Sequence, residues 1–398
     1  MDFHRLGFRE DGDEWIVGRA GTGVCVALPP EGALAVRLLA SGATVEETRR
    51  RLGAETERTV DVAGFVRDLA RVGLVSSIDG RAVPARDIAS PTLPGVRPRH
   101  VRWTLNPLLH GALLTVGVSG LVAAATHPRI VPRWSDALWT SHGTFVLLGQ
   151  SALTWLFIAL HELAHLFTAR AAGVLGTIRL GTRLQFLVVQ TDVSGIWLKD
   201  RRTRMTVYLS GMVVDLAVSG GSLLAMAIFG KHPLLSLMAL TGLVAVSLQL
   251  MVFTRTDLYF ALQDLTRCRN MYGDSLRYLR YVIARSVGRR PTNPLASAGM
   301  RVGERRALRT YTVLLMVGTC AALTLAFFAT TQVSWPLLRH SFDRLSAPRS
   351  WLEAADAATT FVIVAGLQLL WARTWWRTHG PQVHRLLRVA VDTRRRVR

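Results

Sequence analysis

Six long apolar stretches constrain the fold of this 398-residue chain more than any other feature. Each is close to the roughly 20 residues that an α-helix needs to cross the hydrocarbon of a bilayer. Half of the residues are hydrophobic, and the mean hydropathy is +0.27. Buried helices of a soluble protein are the alternative, but six such stretches without comparable polar faces disfavour it. The sequence therefore predicts a mainly α, polytopic membrane helix bundle with spans near 107–126, 144–168, 205–229, 233–254, 309–331 and 354–376.

The basic residues predict how these spans are oriented. Lys and Arg outnumber Asp and Glu by 48 to 27, which gives a net charge of +21. Most of the excess precedes the first span, follows the last, or lies between spans two and three and between spans four and five. By the positive-inside rule, both termini are expected in the cytoplasm. This distribution explains the charge without a nucleic-acid partner, and Trp371, Trp375 and Trp376 fit an aromatic belt at the inner surface.

Residues 1–82 read as a small soluble α+β domain. Glu14–Arg19 and Val24–Leu28 form a predicted strand pair, and Thr44 with Glu47 is a capping-box signal for a short helix. Two further helices and a returning strand near 74–78 complete a winged-helix-like arrangement. The start of the chain lacks a basic-then-apolar stretch, so no cleaved signal peptide is expected.

The rest of the chain divides by composition. Residues 83–106 form a linker rich in Pro and Arg, and residues 107–280 form a membrane core. Residues 281–398 are expected to contribute transmembrane helices and a basic tail. Three widely separated cysteines, Cys25, Cys268 and Cys320, exclude a disulfide scaffold and a cysteine zinc cluster as organising principles.

The second span contains a motif with metal chemistry, His161-Glu162-Leu163-Ala164-His165. Histidines at i and i+4 share one helix face, so their imidazoles can converge on one zinc ion, and Glu162 can serve as general base. Ionisable residues within so apolar a segment are functional by default. The alternative is a satisfied polar cluster that holds helices together.

A zinc site of this kind needs a third protein ligand. Asp257, after the fourth span, lies at the same predicted depth as the histidine pair, although it could instead be an interfacial carboxylate paired with Arg255. Asp215, inside the third span, is the second candidate, and it could alternatively orient the substrate or a histidine. Between spans two and three, two predicted strands around Gly181-Thr182 form either a substrate-binding hairpin edge or a simple surface hairpin.

These motifs resemble the site-2 protease family, and more closely the bacterial peptide zinc metalloproteases, over roughly residues 105–280. The resemblance implies that His161, His165 and Asp257 bind zinc, that Glu162 is the catalytic acid/base, and that a hairpin near 174–198 presents substrate. It places the protein in the bacterial cytoplasmic membrane. The chain departs from the family pattern beside Asp257, which Arg255-Thr256 precede, and at Asp215, where the family has Asn.

The N-terminal domain has a resemblance of its own. Gly32 to Leu39, Gly42 to Glu47 and Asp61 to Val75 are similar to PqqD-like peptide-recognition domains. Such domains bind the leader segments of ribosomally made peptides, often by adding a strand to a sheet edge.

Two functions follow from these features. The first is an intramembrane zinc metallopeptidase that hydrolyses a peptide bond of a membrane-associated or ribosomally made precursor peptide. The second is a non-catalytic membrane partner in peptide maturation, export or self-immunity that binds a leader peptide. A histidine-rich di-iron oxidase would need more paired histidines than the helices supply.

Overall fold

The structure is a computed structural model that describes most of the chain. The described residues are 1–20, 22–56, 61–83, 90–183, 186–266, 268, 270–288, 291–293, 302–348, 350–370, 373 and 376. They are mainly helical, with three small sheets. Among them, four helices are long and apolar enough to cross a bilayer. This confirms the predicted mainly α class with membrane-type helices.

The N-terminal region contains six strands and three helices among its described residues. The elements are β1 (Asp2–Phe3), β2 (Leu6–Asp11), β3 (Glu14–Arg19), β4 (Cys25–Leu28), α1 (Pro30–Ala40), α2 (Val45–Thr56), α3 (Val62–Val72), β5 (Val75–Ile78) and β6 (Arg81–Ala82). They form two antiparallel three-stranded sheets, one in the order β1-β5-β6 and the other in the order β2-β3-β4. The predicted strand pair, the helices and the returning strand are all present.

The sequence missed β1, β2 and β6. Two of these strands have only two residues, which is too short for an alternating pattern to show. The ends of the helices were easier to predict, because capping residues mark them in the sequence. Thr44 Oγ1 accepts a hydrogen bond from Glu47 N at 3.1 Å, and α3 ends at Gly73, whose φ of +91° favours glycine.

The core of the N-terminal region lies between its sheets and helices. Val17 of β3, Val36 of α1 and Leu74 before β5 are each fully buried, and Leu69 of α3 packs with them. Leu39 and Leu52 form a second cluster with Val62 and Val66. Burial of these aliphatic side chains is the main stabilising contribution here.

The helices after the linker match most of the predicted spans. They are α4 (Pro98–Val101), α5 (Pro107–Thr126), α6 (Gly143–Ala171), α7 (Arg201–Phe229), α8 (Pro233–Gln249), α9 (Asp257–Thr266), α10 (Met271–Ser286), α11 (Val302–Ala329), α12 (Trp335–Ser346) and α13 (Trp351–Leu370). The four membrane-type helices are α5, α6, α7 and α13. The fourth predicted stretch forms the 17-residue helix α8, followed by a 3-10 turn at Val252–Thr254, and the fifth lies in α11. Residues 84–89 of the linker, Trp371 and Trp375 of the predicted belt, and the basic tail from 377 lie outside the described residues.

A hairpin joins α6 to α7, as predicted, but its first strand extends past the predicted turn. The strands are β7 (Thr177–Arg183) and β8 (Phe186–Asp192), which pair in a two-stranded sheet. Gly181 and Thr182 belong to β7 rather than to the turn, so that prediction is wrong. A Gly-Thr pair favours a turn only locally, and it does not end a strand whose backbone pairing continues beyond it. A β-branched residue such as Thr is also common in strands.

The chain divides into two compact units. The first contains residues 1–112, 160–179 and 189–214, and the second contains residues 113–159, 180–188 and 215–398. The division falls inside α5, α6 and α7 and inside both strands of the hairpin, so each of these elements contributes residues to both units. In the second unit, Asp356 of α13 accepts hydrogen bonds from the backbone N–H groups of Gly143 and Thr144 at 3.2 and 3.0 Å, which caps the start of α6.

Candidate metal centre

The histidine pair of α6 converges on one point. His161 and His165 are 7% and 5% exposed, and their Nε2 atoms lie 3.1 Å apart. The ring centroids are 4.8 Å apart with the planes inclined by 68°. One helical turn separates the residues, so the spacing of the motif places both imidazoles on the same face. Two ring nitrogens that face each other at this distance share either a hydrogen or a cation.

A backbone carbonyl fixes the protonation pattern of His165. Its Nδ1 lies 2.7 Å from the carbonyl oxygen of Val207, and the Ser210 hydroxyl is 3.3 Å from the same nitrogen. A carbonyl oxygen only accepts hydrogen bonds, so Nδ1 carries the hydrogen in neutral His165. Nε2 then presents its lone pair toward His161. A histidine that ligates a metal usually has this arrangement, with its other nitrogen bonded to a carbonyl or carboxylate.

A glycine leaves room beside the two nitrogens. Gly211 lies on α7, four residues after Val207, and a Cβ atom built on it would stand 2.6 Å from the Nε2 atoms of both His161 and His165. No side chain fits at that distance. Gly211 therefore keeps open the space in front of both nitrogens.

These features fit a zinc ion. Two nitrogen ligands of one tetrahedral zinc are separated by about 3.3 Å, given Zn–N bonds of about 2.05 Å. The observed 3.1 Å is close to that separation. The pair of imidazoles, the carbonyl behind His165 and the cradle at Gly211 together make a suitable donor set for a borderline-soft divalent metal.

The two candidate third ligands, Asp257 and Asp215, belong to the second compact unit, whereas His161 and His165 belong to the first. Asp215 is 2% exposed and lies one turn beyond Gly211 on α7.

Local structure defines where Asp257 sits. It is the first residue of α9, and its backbone N–H donates to Gln249 Oε1 at 3.2 Å. Arg255 adopts the left-handed conformation with φ of +59°, which turns the chain into the helix. The Arg255 guanidinium lies over the Tyr272 ring, 4.9 Å from its centroid.

Glu162 is buried next to the pair and bonded to the hairpin. It is 9% exposed, and Thr191 Oγ1 of β8 donates to its Oε2 at 2.6 Å. A buried carboxylate that follows a candidate ligand histidine in the sequence has the chemistry of a general base.

Three contributors to this site had no sequence signal. Thr191 lies 29 residues from Glu162 in the sequence, so the sequence does not pair the two residues. The Val207 carbonyl is a backbone group, and the residue type does not reveal its role. Ser210 is an ordinary helix residue in sequence.

Comparison with known proteins identifies no relative of this chain. No protein family, no curated protein and no solved structure matches the chain. The description of this site as a candidate metal centre therefore rests on its own residues.

Proposed function

We propose that the protein is a membrane-embedded zinc metallopeptidase of the site-2 protease type. Its substrate would be a membrane-associated or ribosomally made precursor peptide. One observation carries the proposal, namely the two buried imidazoles whose Nε2 atoms face each other at 3.1 Å across the space left by Gly211. His161 and His165 would hold the metal, with Asp257 as the third ligand.

The proposed chemistry divides between the metal and one carboxylate. Zinc bound there would supply Lewis-acid activation of water and of the scissile carbonyl. Glu162 takes a proton from the attacking water and delivers it to the leaving amine. Its burial keeps bulk water away, so the proton passes between the carboxylate and the reacting groups.

The membrane setting extends the same proposal. Four apolar helices support membrane association. We further propose six spans, with α8 and α11 as the two additional ones, and both termini in the cytoplasm of a bacterium, as the basic loops predict. The histidine pair lies in the half of α6 that precedes its C-terminal end, next to the basic loop, so cleavage would take place in the cytoplasmic half of the bilayer.

The N-terminal domain would bring substrate to this centre. A leader peptide that adds a strand at a sheet edge would be held on the same chain as the active site, which raises its local concentration. The support is the three-stranded sheet β2-β3-β4, in which β4 is an outer strand among the described residues.

The decisive experiment separates this enzyme from a non-catalytic partner of peptide maturation, export or self-immunity. Purified protein loaded with zinc is incubated in detergent with a pool of single-span apolar peptides that carry a fluorophore and a quencher. We expect cleavage by the wild type and none by Glu162→Gln, with equal zinc in both. Equal fluorescence and equal products from the two proteins would assign the activity to a contaminant and favour the non-catalytic role.

A further inference from the structure

A short polar contact at the candidate centre joins Glu162 to the hairpin. Thr191 Oγ1 lies 2.6 Å from Glu162 Oε2 and 3.2 Å from the Glu162 backbone oxygen. The first distance lies in the range of charge-assisted O–H···O⁻ bonds. The hydroxyl has one hydrogen, and the shorter contact receives it. Rotation of the carboxylate would break this bond, so the hydroxyl restricts where Oε1 points.

Thr191 is itself fixed by its neighbours in the hairpin. The next residue, Asp192, accepts hydrogen bonds from the backbone N–H and the hydroxyl of Ser194 at 3.0 and 2.6 Å. Asp192 also forms an ion pair with Arg179 of β7. The end of β8 is thus tied both to the neighbouring strand and to the turn that follows.

That turn rests on the N-terminal domain. Arg9 of β2 donates from Nε to the Trp197 carbonyl oxygen at 2.7 Å. An added Cβ on Gly7 would stand 3.0 Å from Leu198, and one on Gly23 would stand 2.9 Å from Ser194. The segment Ser194–Leu198 therefore packs closely on β2 and on the turn between β3 and β4. The N-terminal sheet supports the segment that begins three residues after Thr191.

We propose that Thr191 is a positioning residue for Glu162, and that the N-terminal domain holds Thr191 in register through the segment 194–198. The proposal rests on the proposed function for its catalytic meaning. The Thr191 hydroxyl bonds Glu162 rather than a proposed metal ligand. It acts by fixing one carboxylate oxygen, so that the other faces the reacting groups without a conformational search.

Two substitutions at Thr191 and one elsewhere test the catalytic part. Thr191→Val removes the hydroxyl at constant shape, and Thr191→Ser keeps it. Thr206→Val is the matched control, since the Thr206 hydroxyl donates to the Arg202 carbonyl within α7. With the quenched single-span peptide, we expect kcat to fall about tenfold or more in Thr191→Val, with KM and zinc content unchanged. Thr191→Ser should recover most of the rate, and Thr206→Val should keep it.

A second measurement does not depend on activity. In the metal-free full-length protein in detergent, thermal midpoints are compared for the wild type, Thr191→Val, Glu162→Gln and the double variant. A bonded pair shows non-additive shifts, with the double variant less destabilised than the sum of the singles by about 2 °C or more. Additive shifts would overturn the Thr191 proposal and leave the peptidase intact. If the midpoint shifts are non-additive but the protein cleaves no peptide, the contact between Thr191 and Glu162 would be supported and the peptidase proposal would be wrong.

A kcat loss that Thr191→Ser does not restore would also overturn the proposal, because the methyl group rather than the hydroxyl would then be responsible. The support from the N-terminal domain is tested with Gly23→Val, which forces the segment 194–198 to move. It should lower kcat in the same direction as Thr191→Val. An unchanged kcat would remove the N-terminal domain from the proposal.

Discussion

The Nδ1–H of His165 donates a hydrogen bond to the carbonyl oxygen of Val207, 42 residues later and 2.7 Å away. This bond joins the helix that carries the histidine pair to the helix that carries Gly211. It selects the tautomer in which the His165 Nε2 lone pair faces His161. The backbone of α7 therefore orients the His165 imidazole, and Gly211 of the same helix leaves space beside it.

Gly211→Ala should abolish metal binding. The added methyl group would stand 2.6 Å from both Nε2 atoms, so the imidazoles must move apart. We expect the zinc content after metal loading to fall to background, measured by elemental mass spectrometry. Gly221→Ala on the same helix is the control, because its Cβ meets Val116 at an ordinary 3.7 Å. Full zinc in Gly211→Ala would show that the space is not where the ion binds.

Asp200→Ala should loosen the start of α7. Asp200 accepts hydrogen bonds from the Thr203 backbone N–H at 3.0 Å and from its hydroxyl at 2.6 Å, which caps the helix. Loss of such a cap costs about 1 kcal/mol. Asp200→Asn keeps an acceptor at the same place and should cost less. The measurement is the free energy of unfolding in detergent at neutral pH.

The same residue gives a pH dependence with a defined sign. The hydrogen bonds from Thr203 hold the pKa of Asp200 below its ordinary value. A carboxylate with a lowered folded pKa stabilises the protein above its unfolded pKa of about 3.9, and that stabilisation is lost as the pH falls through the lowered value. The stability difference between the wild type and Asp200→Asn should therefore shrink on acidification below pH of about 4. A difference that grows on acidification would contradict the assignment.

Gly120→Val should disrupt the packing of α5 on α7. An added Cβ at Gly120 would overlap the carbonyl oxygen and the Cα of Gly220, because the two helix backbones approach closely there. Overpacking of this kind costs about 1–3 kcal/mol, because helix backbones must separate. Gly111→Val, where a Cβ has nothing within 4 Å, is the control on the same helix. The readout is the thermal midpoint, and equal midpoints for both variants would refute the close approach.

The sequence predicted those parts of the molecule that depend on periodicity. Helices of about 20 apolar residues are set by the bilayer, and α5, α6, α7 and α13 follow the predicted ranges within a few residues. The i, i+4 spacing of His161 and His165 dictates their convergence in any α-helix. The strands β1 and β6 are too short to show a periodic pattern, and they form through pairing with β5.

What could not be predicted depends on contacts between distant segments. Asp257 and Asp215 were both open as third ligands, because sequence distance does not decide which carboxylate reaches a helix face. The bond from Thr191 to Glu162 requires the hairpin to fold back on α6, and Gly181-Thr182 gave the wrong turn for that hairpin. A backbone acceptor such as the Val207 carbonyl is available at every residue, so only the fold selects it.

Zinc stoichiometry tests the central claim most directly. The full-length protein is purified in detergent, loaded with zinc, desalted and analysed by elemental mass spectrometry. We expect about one zinc ion per chain in the wild type and in Glu162→Gln, and a loss to background in His165→Ala. His110→Ala is the matched control, since the His110 imidazole also bonds a backbone carbonyl, that of Thr104 at 2.7 Å, and should leave the zinc content unchanged. Equal zinc in wild type and His165→Ala, or none in the wild type, would contradict the account.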